Sequence, residues 1–328
     1  MTHRLPPAYG IDVSKDKLDL ACSRARWRRS FPNTHKGQQE LLATVAELPD
    51  ATIILEPTGR YHRAITSVLT DAGRSPILVN PFQMRRYATS KGIRVKTDPI
   101  DAGLLADYGA RMQPEPRPQK TQDEATLADL VARREDLVKV RAGDKCRLHG
   151  ASDPREVASI ERTIAFYDAE IAILEQDITV AIAANAELRT GLHILQSTPG
   201  IGDANGPVIL ALLPELGGLT PKTAAALAGL APYANQSGSS DKQRSIGGGR
   251  AVVRKALYQM AFTAIRCNAV IRSHYQQLIQ RGKAHKVAII ACARRMLGIL
   301  NAMLREGITW QQTKVGQGQF LSASPSAA

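Results

Sequence analysis

The chain has 328 residues, with 43 Lys and Arg against 30 Asp and Glu, so its formal net charge at pH 7 is +13. This length accommodates two or three domains, and 44% hydrophobic residues are enough to fill their cores. No apolar run approaches the roughly 20 residues that cross a bilayer, and the first residues lack the pattern of a secretory signal. The composition therefore argues against a membrane protein and predicts a cytoplasmic one. The excess positive charge favours a polyanionic partner, nucleic acid first.

Four cysteines, Cys22, Cys146, Cys267 and Cys292, are widely separated and form no C-x-x-C pair. This spacing indicates neither a zinc site nor a disulfide framework. We interpret them as ordinary thiols of the core and the surface.

The first third of the sequence predicts a mixed sheet with helices packed on it. Three short strands, in YGIDVSK, KLDLACS and RWRRSFP, would form an antiparallel meander around a polar turn at residues 14–16. A helix capped by Asn33 or Thr34, the buried strand ATIILE, a helix closed by Gly73 and the strand SPILVN follow. Further helices are expected from about Pro81 and from Asp98. This order of elements predicts an α/β domain at residues 1–116.

A proline-rich break, QPEPRPQ, separates this domain from a helical region at residues 117–187. Apolar residues recur at helical spacing in two stretches, which predicts an antiparallel helical hairpin around residues 150–154. The pattern leaves two interpretations open: an arm that pairs with another protomer as a coiled coil, or one face of a simple bundle.

The last region, residues 188–315, is rich in Gly, Ala and Pro and predicts a mainly α-helical domain. It contains short helices, a polar loop at residues 235–249, and amphipathic helices from about 251 to 305. Residues 316–328 have low complexity and are expected to be a frayed tail.

Four acidic residues of the first domain could meet at one site. Asp12 lies inside a strand, where Asp is disfavoured, and Glu56 follows the strand ATIIL at the edge where open α/β sheets bind ligands. Asp98 and Asp101 would share one face of a helix that begins at Pro99. Carboxylates suit Mg²⁺, with Mn²⁺ as a substitute, and such a site serves phosphoryl transfer. As the plain alternative, Asp98 and Asp101 cap a helix and Glu56 ends a strand. The combination favours a metal site.

A second group of residues surrounds the polar loop of the last region. The segment APYANQSGSSDKQRSIGGGRAVVRKALY carries four serines, Ser237, Ser239, Ser240 and Ser245, and a serine among phosphate-binding cations could attack a phosphodiester. The alternative is a merely flexible Ser/Gly-rich loop. The cations are Lys242, Arg244, Arg250, Arg254 and Lys255.

Two further features could bind a nucleic-acid backbone. Gly200 and Gly202 form a tight turn before a helix, where backbone amides could bind phosphate, although a simple turn between helices explains them equally well. A basic run precedes Asp98, and its position beside the acids favours substrate binding over a solvated surface. Its members are Arg85, Arg86, Lys91, Arg94 and Lys96.

Several of these motifs occur together in one known family. GIDVSKDKLDLA, LEPTGRYH, KTDPIDAGLLADYGARM, TPGIG and LAGLAPYANQSGSSDKQRSIGGGRAVVRKALY appear here in that order. In this respect the chain resembles the DEDD transposases of the IS110 family over essentially its whole length. The T-D-x-x-D-A stretch and the block from A-P-x(4)-S-G to G-G-R are the most specific parts.

The resemblance implies a ribonuclease-H-like (RuvC-like) domain in which Asp12, Glu56, Asp98 and Asp101 bind Mg²⁺. It also implies a coiled-coil dimerisation arm and a C-terminal transposase domain in which Ser237 attacks the DNA backbone and forms a covalent intermediate. Acids of one subunit would act with the serine of another in a dimer or tetramer. Members of the family are similar in using a structured bridge RNA that pairs with donor and target DNA, so the protein would read mainly shape and backbone.

Two other functions remain open from the sequence. The chain could be a metal-dependent RuvC-like endonuclease that acts on branched DNA, with the C-terminal domain only binding DNA. It could also be a binding protein without catalysis, in which the acids are caps and strand ends. Ser237 beside Arg244 and Arg250 is the feature that separates a recombinase from a nuclease.

Overall fold

The computed structural model describes residues 5–25, 27–57, 59, 61–93, 101–115, 121–237 and 240–313, and the side chains of these except at 233–237 and 240–244. The chain forms two compact units, residues 1–119 and 120–328. The predicted boundary between residues 187 and 188 would lie inside the second unit and stays a prediction. The predicted tail at 316–328 lies outside the described residues.

The N-terminal unit contains a five-stranded mixed sheet with the strand order β3-β2-β1-β4-β5. The predicted antiparallel meander is confirmed, since β1 pairs with β2 and β2 with β3 in antiparallel fashion. β4 lies parallel to β1, and β5 lies parallel to β4. The strands are β1 (Ala8–Val13), β2 (Lys17–Cys22), β3 (Arg28–Pro32), β4 (Thr52–Leu55) and β5 (Ile77–Leu78).

Strand residues alternate between two helix-covered faces of this sheet, as period-two side chains must. On one face, Ile11, Leu20 and Leu55 pack with residues of α1 and α2 in one hydrophobic cluster. On the other face, Ala21 packs against α4, and Ile54 packs with residues of α3 and α4. The helices are α1 (His35–Ala46), α2 (His62–Asp71), α3 (Pro81–Ser90) and α4 (Ala102–Met112).

Helix α4 lies almost directly on strand β1 because Gly10 has no side chain. A Cβ atom at position 10 would stand 2.0 Å from the carbonyl oxygen of Ala102 and 2.4 Å from the backbone nitrogen of Ala106. Real Cβ atoms do not approach backbone this closely, so no other residue fits there without moving the helix. This contact fixes the amino-terminal part of α4 over the middle of β1.

The helix starts follow from side-chain caps. Thr34 caps α1 by accepting from the amide of Gly37, and Asn80 caps α3 by accepting from that of Phe82. Asp101 caps α4, and its Oδ1 accepts from the Leu104 amide at 2.8 Å. The predicted helix start at Pro99 is therefore wrong. Asp101 has extended backbone and precedes the helix, because its carboxylate satisfies an amide that has no intrahelical partner.

The C-terminal unit begins with the predicted helical hairpin, formed by α5 (Gln122–Leu148) and α6 (Pro154–Ala184). Thr121 and Glu124 form a capping box at the start of α5, and Asp153 caps α6. Arg134 pairs with Glu175 on the facing helix, and nearer the connecting turn Arg141 pairs with Asp168. These pairs fix the antiparallel register of the two helices.

The remaining helices of this unit share one hydrophobic core with the base of the hairpin. Leu257 and Met260 of α10 meet Met296 and Leu300 of α12 in that core, together with Val131 of α5. The helices are α7 (Ala186–Gln196), α8 (Gly206–Leu212), α9 (Pro221–Leu227), α10 (Ala251–Cys267), α11 (Ala269–Gln280) and α12 (His285–Glu306).

The segment predicted as a polar loop at 235–249 is instead largely a two-stranded antiparallel hairpin. It consists of β6 (Pro232–Ser237) and β7 (Ser240–Ile246), with an irregular register between Tyr233 and Asn235. Its Asn, Gln and Ser residues lack the alternation by which half-buried strands are recognised. The backbone pairing of β6 with β7 therefore defines the hairpin.

By length and composition alone, α12 could cross a membrane, although Arg294 and Arg295 interrupt its apolar sequence. Half of its apolar window is buried inside the structure. Ile289, Cys292, Met296 and Leu300 lie fully within the core of the C-terminal unit. Core helices of globular domains pass the same length and composition test.

Candidate catalytic site

Asp12 and Glu56 lie on the face of the sheet that α4 covers. The side chains of Ile54 and Ala21 pack against α4, and Gly10 lies directly beneath it. Since side chains alternate along a strand, Asp12 shares the face of Gly10, and Glu56 shares the face of Ile54. β1 and β4 are parallel neighbours, so both acids stand at the same edge of the sheet. The sequence predicted this placement for both residues.

These two carboxyl groups are half-buried and feel each other's charge. Burial raises the pKa of Asp12 above its ordinary value, and the nearby carboxylates of Asp19 and Asp101 raise it further, while Lys17 opposes them. Burial also raises the pKa of Glu56, as does the charge of Asp12, against the opposing charge of Arg85. A concentration of like charge at a partly buried edge favours a bound cation.

Both oxygens of the third acid, Asp101, are already bonded. Oδ1 accepts from the Leu104 amide, and Oδ2 lies 2.8 Å from Nη2 of Arg28 on the edge strand β3. Asp98, the fourth predicted acid, lies outside the described residues. Among the described acids, Asp12 therefore lies within electrostatic range of Glu56 and of Asp101, and Asp101 is paired with an arginine.

The carboxylates fit a hard divalent cation in their chemistry, because oxygen is the ligand atom that Mg²⁺ and Mn²⁺ prefer. Within the described ranges, however, no three acidic, His or Cys side chains are close enough to hold an ion together. The donors are thus present at one sheet edge, but the described side chains do not form a complete coordination sphere.

Sequence reasoning missed Asp19, which is the cross-strand partner of Asp12 in the register of β1 and β2. Its carboxylate accepts from Ser30 at 2.6 Å and pairs with Lys17 at 2.7 Å. Burial pushes the pKa of Asp19 upward, but these hydrogen bonds and the charges of Lys17 and Arg28 bring it below its ordinary value. The available signal was an acid between two apolar strand residues, the same signal that identified Asp12.

The predicted basic run divides into cations with different surroundings. Arg85 is exposed on α3 and acts on the charge of Glu56, and Arg86 lies over the ring of Phe82 at 4.6 Å. Lys91 forms an ion pair with Asp107 of α4. Arg94 and Lys96 lie outside the described residues. Arg85 is therefore the member that the structure places beside an acid of the candidate site.

Asp107 joins α3 to α4. Its carboxylate accepts from Tyr87 at 2.6 Å and from Arg111 at 2.8 Å, besides the pair with Lys91. Burial works against ionisation, but the hydrogen bonds from Lys91, Tyr87 and Arg111 lower the pKa of Asp107 to about 2. This network holds the helix that carries Arg85 against the helix that Asp101 caps.

Ser237 is the last residue of β6, and its Cα partner in the hairpin is Ser240. Its backbone therefore stands where the two strands join, next to the connection at 238–239. Lys242 and Arg244 belong to β7, and their side chains, like that of Ser237, lie outside the described part. The surroundings of the serine hydroxyl stay a prediction.

The three predicted phosphate-binding cations after the hairpin have partners within the protein. Arg250 pairs with both carboxylate oxygens of Glu215, at 2.6 and 2.7 Å, and donates to the carbonyl of Leu212 at 2.9 Å. Arg254 donates to the carbonyl of Gly248, and Lys255 lies 3.2 Å from Glu135. Each would have to leave its partner, or share it, to bind a phosphate.

The turn that contains Gly200 and Gly202 is explained mainly by packing. Gly200 has a φ of 107°, and a Cβ atom there would stand 2.7 to 2.9 Å from Cβ, Cα and N of Ala264 in α10. The space beside Gly202 is open. α8, the helix that follows, has only seven residues. The close approach to α10 therefore accounts for Gly200, and phosphate binding here stays a prediction.

Comparison with known proteins gives the same family for both parts of the chain. A transposase profile, DEDD transposase of IS110, matches residues 9–152, and the profile described as transposase IS116/IS110/IS902 family matches residues 192–276. The pilin gene-inverting protein of Moraxella bovis is 31% identical over 308 residues, which cover 90% of this chain and 95% of that protein. An uncharacterized 43.6 kDa protein of insertion element IS110 from Streptomyces coelicolor is 33% identical over 134 residues, 40% of this chain and 32% of that one.

A mixed α/β sheet with acids at one edge, followed by a helical unit matched by a second transposase profile, defines an enzyme that recombines DNA. The chain belongs to the IS110 family of transposases. Its activity is accordingly that of a DNA transposase or recombinase.

Proposed function

We propose that this enzyme cuts and rejoins DNA strands of an insertion sequence, using Ser237 as nucleophile and a divalent cation, Mg²⁺ or Mn²⁺, bound by Asp12, Glu56, Asp98 and Asp101. The observation that supports the proposal is that Asp12 lies within electrostatic range of both Glu56 and Asp101, near the carboxyl ends of β1 and β4. The strand order, with a meander followed by parallel strands, is compatible with the ribonuclease-H-like (RuvC-like) fold that the family implies.

In this mechanism the acids hold the cation and Ser237 carries the DNA strand. The cation that these acids would hold would supply charge neutralisation and polarisation of the scissile phosphate. Oγ of Ser237 forms a bond to phosphorus as the bond to the leaving deoxyribose oxygen breaks, the serine hydroxyl loses its proton and the leaving oxygen gains one, so one phosphodiester is exchanged for another. Rejoining by the reverse attack then needs no nucleotide cofactor. Arg85, beside Glu56, would bind a neighbouring phosphate oxygen.

A RuvC-like endonuclease that acts on branched DNA is the second candidate. It is favoured by the fact that the described acids all belong to the N-terminal unit, whereas Ser237 belongs to the other. Two ions or one ion at the acids could activate water without any serine. The two functions differ in the product, since hydrolysis leaves free ends and no protein bound to DNA.

We also propose that the enzyme works as an oligomer joined through α6. Three large apolar side chains of this helix are spaced seven residues apart, and they are Phe166, Ile173 and Val180, exposed by 58%, 55% and 62%. A stripe with this spacing fits the same stripe of a second copy as a coiled coil. This dimer, or a tetramer built from it, would let acids of one subunit act with the serine of another.

Partners are proposed as donor and target DNA and a structured guide RNA. The net charge of +13 supports binding of several phosphate backbones, and family resemblance supports the RNA. Purifying the enzyme from a host that carries the intact element, and sequencing the co-purified RNA, tests this directly. RNA from the flanks of the coding region is expected, and only random cellular RNA would count against a guide.

The central test compares Ser237→Ala and Asp12→Asn in an assay with that co-purified RNA and a plasmid that carries both element ends. We expect both variants to lose strand exchange, and Ser237→Ala to lose the covalent protein–DNA adduct while keeping DNA binding. The plasmid should also hold two ends in inverted orientation, because the Moraxella relative is named for gene inversion.

Ser245→Ala is the matched control, since Ser245 is an exposed serine of β7 opposite Tyr233. It should keep full activity. Cleavage by Ser237→Ala that yields hydrolysed ends without an adduct would support the endonuclease instead. Unchanged activity of both Asp12→Asn and Ser237→Ala would contradict both candidates.

A further inference from the structure

The side chain of Arg28 joins the edge strand β3 to the first turn of α4. Its Nη2 atom lies 2.8 Å from Oδ2 of Asp101, and its charge also acts on Asp19. Ala21, the cross-strand partner of Arg28, packs against α4. Arg28 therefore brings a positive charge to the same face of the sheet that carries Asp12 and Asp101.

The guanidinium occupies a space that the sequence leaves open. A Cβ atom at Gly103 would stand 2.9 Å from Nη2 of Arg28 and 3.5 Å from its Cζ, so a side chain at position 103 would displace the guanidinium. Glycine is a less favourable helix residue than Ala, because it loses more conformational freedom on folding. Gly103 thus slightly weakens the start of α4, and the guanidinium of Arg28 occupies the space that a side chain at position 103 would fill.

The second oxygen of Asp101 can serve either Arg28 or another cation. Its Oδ1 is committed to capping α4 through the Leu104 amide, so Oδ2 is the atom that can change partner. The side chains of Arg28 and Asp101 are 66% and 48% exposed. Exposed pairs of this kind contribute little to stability, so the arginine can leave without unfolding its surroundings.

We propose that Arg28 is an internal counter-ion, which holds Asp101 while no divalent cation is bound and gives up its place at Oδ2 when one binds. The inference rests on the proposed role of Asp101 as a metal ligand. Arg28 is thus a positioning residue: it keeps the third carboxylate at the site and competes with the ion for it. The enzyme's affinity for its cation is lower than the carboxylates alone would give.

The test is the affinity for Mn²⁺ of the full-length enzyme, measured by electron paramagnetic resonance at 150 mM salt, together with its Tm. Arg28→Gln removes the competing charge, and we expect the Kd for Mn²⁺ to fall about two- to fivefold. Its Tm should fall in EDTA, where Asp101 has lost its partner, and this difference should shrink or reverse in saturating Mn²⁺. Gly103→Ala, which pushes the guanidinium away without changing charge, should tighten Mn²⁺ binding in the same direction.

Arg29→Gln is the matched control. Arg29 is the next residue of β3 and pairs with Glu47 at 3.6 Å, so it carries the same charge away from Asp101. An equal gain in affinity from Arg29→Gln would show a general charge effect and overturn the role of Arg28. An unchanged Kd in both Arg28→Gln and Gly103→Ala would overturn it as well.

Asp101→Asn separates this inference from the function on which it rests. Loss of a metal ligand should weaken Mn²⁺ binding by at least about tenfold. If Asp101→Asn binds Mn²⁺ like the wild type, the proposed ligand set fails, and the exchange fails with it. If Asp101→Asn binds weakly while Arg28→Gln and Gly103→Ala bind like the wild type, only the counter-ion role of Arg28 is wrong.

Discussion

Three aspartates of the N-terminal unit differ in whether their neighbours stabilise or destabilise the ionised carboxylate. Burial and two nearby acids raise the pKa of Asp12, whereas hydrogen bonds from cations and hydroxyls lower the pKa values of Asp19 and Asp107. The lowered pair are structural acids with their counter-ions in place. Asp12 pays an electrostatic cost for being ionised, which a bound cation would relieve. This contrast is the residue-level argument for Asp12 as a ligand.

Asp107→Asn should destabilise the N-terminal unit at pH 7 by about 1–2 kcal/mol, because it removes a carboxylate whose ionised form is stabilised by hydrogen bonds from Lys91, Tyr87 and Arg111. The folded-state pKa, about 2, lies below the unfolded value near 3.9, so the stabilisation is complete well above pH 4 and is lost between pH 4 and 2. The free energy of unfolding of this unit is measured by urea titration of the full chain at pH 7 and pH 3. The fluorescence of Trp27 in a Trp310→Phe background reports the unfolding.

The difference between wild type and Asp107→Asn should be smaller at pH 3 than at pH 7. Asp71→Asn, a change at the exposed end of α2, should have little effect at either pH and serves as the control. A destabilisation by Asp107→Asn that is equal at both pH values would show that charge at this position contributes nothing.

Sequence alone could identify Asp12 and Glu56 because each breaks a local rule, an acid within an apolar strand or at its carboxyl end. It could not identify Asp19 and Arg28 as their neighbours, since that follows from the register of β1, β2 and β3. Nor could it show that Arg250 is bound by Glu215, 35 residues away. Contacts between distant segments are set by tertiary packing, which local patterns do not encode.

At the level of elements, strong periodicity and local capping were reliable guides. The meander, the buried strand β4 and the helical hairpin were all predicted, because apolar residues recur there with period two or near 3.6. The start of α4 was misplaced because Asp98 before Pro99 looks like a good cap, and Asp101 fulfils that role instead. The β6–β7 hairpin was missed because its polar residues carry no periodic signal.

Ile173→Lys, at the centre of the exposed stripe on α6, should convert the proposed dimer into monomers. A charge buried in a coiled-coil seam has no partner, and its desolvation costs several kcal/mol. Light scattering after gel filtration measures the mass of the free protein, for which one chain is 35.5 kDa. Ala142→Lys adds the same charge to an exposed position of α5 and should leave the mass unchanged. A wild type that is monomeric at every concentration would contradict the dimer.

At the level of the whole molecule, fewer cations are available to bind phosphates than the number of Lys and Arg residues implies. Lys91, Arg250 and Lys255 each have an acidic partner, so only part of the 43 Lys and Arg is available to phosphates. Arg85 and Arg86 are exposed on α3. Binding of DNA should depend on the exposed cations and not on those in ion pairs. The salt dependence of the affinity for DNA distinguishes the two groups.

We expect the affinity for a duplex to fall by about 10³-fold between 50 and 200 mM salt if some six phosphates are contacted. Arg85→Gln should reduce the slope of log K against log salt by about one. Lys91→Gln, which removes the same charge from an ion pair at the end of the same helix, should change the slope much less. Fluorescence anisotropy across a salt series gives all three slopes, and equal slopes for wild type and Arg85→Gln would remove Arg85 from the interface.

The contact between Gly10 and α4 has a consequence for how this enzyme can change over time. Asp12 belongs to β1 and Asp101 caps α4. The distance between them depends on how closely α4 approaches β1 at Gly10, which has no side chain. Even the smallest replacement, Gly10→Ala, would lift the helix and move the two acids apart without touching either of them. Position 10 has no chemistry of its own, yet it is as closed to substitution as the acids whose distance it sets.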